Sequence, residues 1–269
     1  MRPVRRRHPL LGIFWWLMMF FLYLPLSMVV LYSFNSINST AHFASFSLRW
    51  YRQLLDNDEL FSAFKNSLIL AVCSSTIALL LGSMLGYGLY RHRRRGLGWM
   101  IALIYLPIVM PDVVFGLAEM TSFVKVGGWI RLFSPGLTTM TLAHVTFELP
   151  FVALLVYSRF VNMDAALFDA AHDLYATPFK RFVNVILPEI KPALLSAFFL
   201  SFTLSFDDFA ISFFTAGPES ATLPIYIWSS IKRGISPSIN AIGSLMILAV
   251  VLAVIVILIS GWRKRGRAV

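Results

Sequence analysis

Apolar stretches long enough to cross a lipid bilayer recur six times in this chain, and that repetition limits its fold more than any other feature. A hydrocarbon layer needs about 20 apolar residues in a helix to span it. With no water there to satisfy backbone groups, only helices and closed barrels are viable. The stretches run over about Leu10–Ser33, Asn66–Tyr90, Leu97–Met120, Thr138–Tyr157, Ala193–Thr215 and Ala241–Gly261. They predict an all-α polytopic membrane protein with six transmembrane helices, one domain over residues 1–269, and a polar connection at about 160–191. Only 13% of the residues are charged, against about 25% in soluble domains. The first stretch follows Arg2, Arg5, Arg6 and Arg7 as a secretory leader would. Its apolar run, however, is about twice a leader's core and no small-residue cleavage site follows it, so it is expected to stay as an anchor.

The basic residues predict the orientation. Arg2, Arg5, Arg6 and Arg7 precede the first span, and Arg91, Arg93, Arg94 and Arg95 join the second to the third. Arg159, Lys180, Arg181 and Lys191 join the fourth to the fifth, and Arg263, Lys264, Arg265 and Arg267 follow the sixth. These are 16 of the 23 basic residues, all on one side of a six-span chain. Because Lys and Arg are retained in cytoplasmic connections, both termini are expected to be cytoplasmic. The net charge of +10 has the same origin: basic clusters at helix ends lie beside anionic lipid, so a nucleic-acid role is set aside. The single cysteine, Cys73, lies inside an apolar run, so neither a disulfide framework nor a cysteine metal site can be drawn.

Small residues and prolines mark particular spans. Gly82-x-x-x-Gly86 in the second permits close approach of another backbone, a common packing device. Pro107 and Pro111 interrupt the third span and Pro150 the fourth, freeing carbonyls that neighbours or a wet cavity must satisfy. Five acidic residues fall within apolar runs, where a carboxylate costs several kcal/mol and usually faces the bundle interior or a water path. At about 1.5 Å per residue, Asp112, Asp207 and Asp208 lie about 23 Å from the cytoplasmic end, with Glu119 a heptad beyond Asp112 and Glu148 near the middle of the fourth span. On the fifth span Ser201, Ser205, Asp208 and Ser212 share one face of a continuous helix. That stripe reads as the lining of a polar passage, ahead of the alternative that its hydroxyls join helices. His144 and Glu148, four apart, read as an internal pair. The substrate-pathway set is therefore Asp112, Glu119, Glu148, Ser201, Ser205, Phe206, Asp207, Asp208, Phe209 and Ser212.

The motifs of self-contained catalysis are absent from the sequence: G-x-x-x-x-G-K-[ST], H-E-x-x-H and G-x-S-x-G do not occur. An intramembrane aspartyl protease would need two carboxylates to meet across helices, and Asp112 with Asp207 or Asp208 is the only pair that suggests it. No catalytic residue and no metal site is assigned.

The segment Asp169-Ala170-Ala171-His172-Asp173-Leu174-Tyr175-Ala176-Thr177-Pro178, followed by Leu187-Pro188, resembles the EAA loop of type I ABC importer permeases. The two alanines leave a helix face thin enough to enter a groove on another protein, and Thr177 with Pro178 suits the start of a further helix. Asp169 stands in place of the usual glutamate and Tyr175 in place of the usual glycine. Further segments, above all Ser201-Phe202-Thr203-Leu204-Ser205-Phe206-Asp207-Asp208, with Met110-Pro111-Asp112 and Ala143-His144-Val145-Thr146-Phe147, are similar to the PotC-type permeases of spermidine/putrescine importers.

The resemblance implies a multi-pass permease subunit in a bacterial plasma (inner) membrane, working by alternating access. It implies a PotB-like partner permease, two PotA-like ATPase subunits and an external PotD-like binding protein. ATP and magnesium would bind the ATPase, leaving this chain without a cofactor. Asp169, Ala170, Ala171, Asp173, Leu174, Tyr175, Ala176, Thr177, Pro178, Leu187 and Pro188 would form the surface that couples to it. A permease for another small solute is the nearest alternative, and an autonomous channel or secondary transporter the next.

Overall fold

The computed structural model describes residues 9–39, 42–92, 98–127, 133–164, 166, 177–234 and 236–265. Its elements are α1 (Pro9–Ser33), α2 (Arg49–Leu55), α3 (Asp58–Arg91), α4 (Gly98–Val109), α5 (Asp112–Gly127) and α6 (Leu137–Val161). They continue with α7 (Pro178–Arg181), α8 (Leu187–Phe206), α9 (Ala210–Thr215), α10 (Leu223–Arg233) and α11 (Pro237–Arg265), a π-helical turn at Phe182–Ile186 joining α7 to α8. Among the described residues the only β pairing is an isolated bridge between Asn35 and Phe46. Among the described residues five helices are long and apolar enough to span a membrane, or six if the bent pair α4 and α5 is one span. The chain divides into two compact bodies, residues 1–58 with 227–269, and residues 59–226.

In the first body α1 lies along α11, and α2 packs on α11. Helix α1 is apolar on every side, with Leu10 78% and Phe21 73% exposed. A helix with that surface is compatible with lipid or another apolar helix rather than water. Polar groups tie its end down. Ser33 Oγ and Tyr51 Oη are 2.6 Å apart, and Tyr51 donates to Ser244 Oγ at 3.1 Å, linking α1, α2 and α11. The turn after α1 is built on buried Asn35, which donates to the carbonyls of Ser39 and His42 and accepts from the Ala44 amide. Trp50 of α2 donates its indole N–H to the Asn35 carbonyl.

In the second body α6 is the central helix: α4, α5, α8 and α9 all pack on it. Ala78, Gly82 and Gly86 recur every four residues along one face of α3, and there α6 comes within backbone distance. A Cβ at Gly82 would lie 2.7 Å from Val152 Cβ, and one at Gly86 would lie 2.6 Å from the Ala153 carbonyl oxygen. The close approach stabilises the pair through dispersion, because lipid offers no hydrophobic driving force between helices. Towards one end of α6, Val152, Val156 and Phe160 form a core with Ala78, Ile186, Ile190 and Ala197. Nearer the other end Ala143 packs with Phe115 and Ile211.

Two spans are broken: the third, at one of the two prolines that interrupt it in the sequence, and the fifth, which was expected to be continuous. The third bends by 105° between α4 and α5. Pro111 lacks an N–H, and the residue before a proline is pushed out of the helical region. The new helix restarts as the Val114 and Phe115 amides bond the Pro111 carbonyl at 2.9 and 3.0 Å. The fifth begins earlier than expected, at Leu187, stops at Phe206 and resumes as α9. Asp208 causes this second break, since its carboxylate accepts from the amides of Ile211 at 3.2 Å and Ser212 at 2.7 Å. A short acidic side chain bonding nearby amides competes with helix continuation and suits a helix start. The stripe of Ser201, Ser205, Asp208 and Ser212 is thus corrected: it is not one face of one helix but two helix ends and the break between them. Helices α2 and α10 lie in connections the sequence reading left without helices.

Candidate translocation site and coupling segment

The acidic residues of the second body separate into two kinds. Asp112, in the first turn of α5, and Asp207, at the end of α8, are exposed. Neither carboxylate has a cationic partner among the described residues. Glu119 is half-buried and accepts from Thr146 Oγ1 at 2.9 Å. Glu148 and Asp208 are enclosed.

Glu148 is fully buried on α6, and its Oε1 accepts from Ser74 Oγ of α3 at 2.8 Å. The expected pairing of His144 with Glu148 is not formed. His144 turns instead to the α8–α9 break, with Nδ1 2.7 Å from Ser205 Oγ, Nε2 3.0 Å from Ser212 Oγ, and Nε2 3.5 Å from Asp208 Oδ2. Side chains four apart on a helix are neighbours, but a better-placed acceptor on another element drew the ring away. Ser74 and Ser205 close the remaining gap at 3.1 Å. Asp208 is therefore held by two backbone amides and an imidazole, while Asp207 beside it stays open.

The stripe serines are interior groups. Ser201, Ser205 and Ser212 are all buried, and the latter two are bonded to His144. Ser201 Oγ and Glu148 Oε2 have no hydrogen-bond partner in the described structure. Aromatic rings surround the break: Phe206 stacks on Phe202 with centroids 5.7 Å apart and meets Phe64 edge-on at 6.2 Å. Phe209 lies 5.3 Å from Phe213, and Phe115 5.7 Å from Phe147. Half-helices α5 and α9 pack closely enough that a Cβ on Gly116 would lie 3.0 Å from Ile211 Cα, which brings the restarted parts of the two broken spans together.

Of the expected coupling residues, Asp169, Ala170, Ala171, Asp173, Leu174, Tyr175 and Ala176 lie outside the described residues. Thr177 caps α7, accepting from the Lys180 amide at 3.4 Å, with Pro178 in its first turn. Leu187 and Pro188 begin α8. Phe179 is 75% exposed between Pro178 and Lys180. The two ends of the segment are clasped: Arg159, near the end of α6, donates Nε to the Glu189 carbonyl at 2.9 Å and a terminal N–H to the Glu189 carboxylate. Sequence reasoning missed this clasp, the His144–Asp208 contact and the part played by Ser74. Each joins residues far apart in sequence, and only the order of charged and hydroxyl groups within apolar runs hinted at them.

The described residues thus form a helical bundle whose spans are long and apolar enough to cross a membrane, with two broken spans packed on a central helix. Residues 78–264 match the family model described as "Binding-protein-dependent transport system inner membrane component", and the chain belongs to that family. It is 42% identical over 234 residues to the putrescine transport system permease protein PotI of Escherichia coli strain K12, covering 86% of this chain and 83% of that one. It is 36% identical over 251 residues to the spermidine/putrescine transport system permease protein PotC of the same strain, covering 91% and 92%. A structure described as a bacterial ABC transporter involved in import of the acidic polysaccharide alginate shares the fold, with a TM-score of 0.68, 14% identity and 97% of both chains covered. The chain is thus the permease component of an ABC importer, resembling the putrescine and spermidine/putrescine permeases.

Proposed function

We propose that this chain forms part of the path by which a polyamine such as putrescine or spermidine crosses the membrane. The observation that carries the reading is the match over most of the chain to permeases named for those solutes. Physical support comes from Asp112 and Asp207, exposed carboxylates beside breaks in their spans and free of cationic partners among the described residues. A polyamine is a flexible chain of ammonium groups, which favours such acceptors together with aromatic faces. Phe206 and Phe209 flank Asp207 and Asp208 to supply them. Glu119 lies along α5 from Asp112. Glu148, Ser201, Ser205 and Ser212 line the interior behind the break.

The machine is completed by a PotB-like permease, two PotA-like ATPase subunits and a PotD-like external binding protein. ATP and magnesium bind the ATPase, and this chain holds no cofactor of its own. Both termini and the segment from Asp169 to Pro188 face the cytoplasm. Closure of the ATPase dimer moves that segment, and the clasp of Arg159 to Glu189 passes the displacement to α6 and α8 together. The helices then alternate between inward-facing and outward-facing arrangements. Support for the binding protein comes from a solved alginate transporter of the same fold, described in complex with a pentasaccharide-bound periplasmic protein.

The test is uptake of labelled putrescine and spermidine into proteoliposomes holding the full complex. Uptake that requires both ATP and the binding protein supports the assignment. Solute-independent ATP hydrolysis without polyamine uptake sinks the polyamine reading and leaves the permease class standing.

A further inference from the structure

Four side chains joining α3, α6 and the end of α8 make an unbroken hydrogen-bonded series inside the second body. Glu148 Oε1 meets Ser74 Oγ at 2.8 Å, Ser74 Oγ meets Ser205 Oγ at 3.1 Å, and Ser205 Oγ meets His144 Nδ1 at 2.7 Å. All four are buried. At the far end His144 Nε2 faces Ser212 Oγ at 3.0 Å and Asp208 Oδ2 at 3.5 Å.

Each serine hydroxyl has one hydrogen to donate, so the series can run in only two directions with every link made. In the first, Glu148 is a carboxylic acid that donates to Ser74, Ser74 donates to Ser205, and Ser205 donates to Nδ1. His144 is then neutral and its Nε2–H points towards Asp208 and Ser212. In the second, Nδ1–H donates to Ser205, Ser205 to Ser74, and Ser74 to a Glu148 carboxylate. With the same number of protons as in the first, His144 then carries both ring protons, and its imidazolium faces Asp208.

We propose that Glu148 and His144 share one proton through Ser74 and Ser205, making this site a charge switch at the centre of the chain. Passing between the two states breaks the Glu148 O–H bond, hands one hydrogen along each hydroxyl and forms the Nδ1–H bond. No proton enters or leaves and no heavy atom need move. The surroundings select the state. Asp208 and Asp207 at the break act on the His144 end. Glu119 on α5 bonds Thr146 between the two groups on α6. The buried face of α3 supplies serines rather than charges. Helix α4 has no acidic or basic residue and its Tyr105 is exposed. Glu189 and Arg159 are paired with each other near the other end of α6. Because Asp208 is fastened to the start of α9, any movement of the break alters its approach to Nε2 and with it the balance of the proton.

A reason for such a switch follows from Glu148 Oε2, buried and with no protein partner among the described residues. Where movement of the helices opens the site, this oxygen offers negative charge to a passing ammonium group in the carboxylate state and does not in the acid state. That consequence rests on the polyamine reading, whereas the relay does not.

Infrared difference spectra of the assembled transporter in lipid, resting against ATP-trapped, test the relay directly. Glu148→Gln identifies the carboxylic-acid band, and isotope-labelled histidine with His144→Gln identifies the imidazolium band. The expected result is a one-for-one exchange between the two bands, abolished by Ser205→Ala and by Ser74→Ala in complexes that still assemble. These variants interrupt the path and leave both titrating groups in place. A Glu148 band that does not change, changes without His144, or keeps its matched change in both serine variants would overturn the proposal. A matched exchange in a complex that takes up no polyamine would retain the relay and discard the solute assignment.

Discussion

Asp207 and Asp208 are adjacent in sequence but face different environments, one exposed and one bonded into the break. Asp208 closes two amides at the start of α9 and lies against His144. Replacing it with alanine leaves those donors unsatisfied and removes a cap, which costs about 1–3 kcal/mol. A lowered Tm of the purified chain is the expected measurement for Asp208→Ala. Asp207→Asn touches no such bond, so thermal stability is expected to stay within about 0.5 kcal/mol of the original, as for surface substitutions. Its effect should appear in transport, as a raised KM for polyamine uptake. If Asp207→Asn leaves uptake kinetics unchanged, Asp207 is not a solute ligand. The pair of acids was visible in the sequence as an unusual charge within an apolar run. Which of the two was committed was not, because the decision rests on His144, 64 positions earlier, and on a break that hydropathy does not register.

Helices were legible where apolar length alone determines them: α1, α6 and α11 cover the stretches read from the sequence, while α3 starts at Asp58, ahead of the expected Asn66. The prolines of the third span were legible as an interruption, but neither the sharpness of that bend nor the break at Asp208 was, and for one physical reason. Hydropathy averages over a window, and a break made by Pro111 or by Asp208 barely changes that average while redirecting the chain by 105° in the first case. Packing between helices was partly legible, since Gly82-x-x-x-Gly86 does mark the seam with α6. Its tolerance is narrow: a side chain at Gly86 would drive Cβ to 2.6 Å from the Ala153 carbonyl oxygen. Gly86→Val is expected to destabilise the helix pair by about 1–3 kcal/mol or more, read as loss of folded protein in detergent. Gly88→Val is the control, because nothing lies within 4 Å of a Cβ there. Equal behaviour of the two variants would remove the seam from the account. A second element-scale expectation concerns the clasp. Arg159→Ala and Glu189→Ala should each weaken ATP-driven uptake, and the double variant should be little worse than either, because coupled residues are not additive.

At the scale of the whole molecule, the chain exposes apolar surface over most of α1 and α11 and a different kind of surface at α7. There Phe179, 75% exposed, is followed by Lys180 and Arg181 and preceded by a capped turn at Thr177 and Pro178. Apolar exposure on a spanning helix suits lipid, but under the proposed topology an aromatic ring among basic residues at α7 lies beyond the membrane, surrounded by water unless a protein covers it. Under the proposed assembly that protein is the ATPase, and the ring is one of the groups driven into its groove. Aromatic anchors of this type carry a large share of interface energy. Truncating Phe179 to alanine should therefore weaken ATPase association by about 1–3 kcal/mol, or roughly fivefold to 150-fold in Kd. The helix start should be preserved, because Thr177 and Pro178 make it. The measurement is titration of ATPase onto the reconstituted permease pair, with solute-stimulated hydrolysis recorded on the same samples. Association and stimulation falling together would place Phe179 at the docking surface. Unchanged association with lost stimulation would instead make the ring a transmitter of the stroke. If both are unchanged, α7 is not the contact, and the docking role reverts to the preceding residues Asp169 to Ala176.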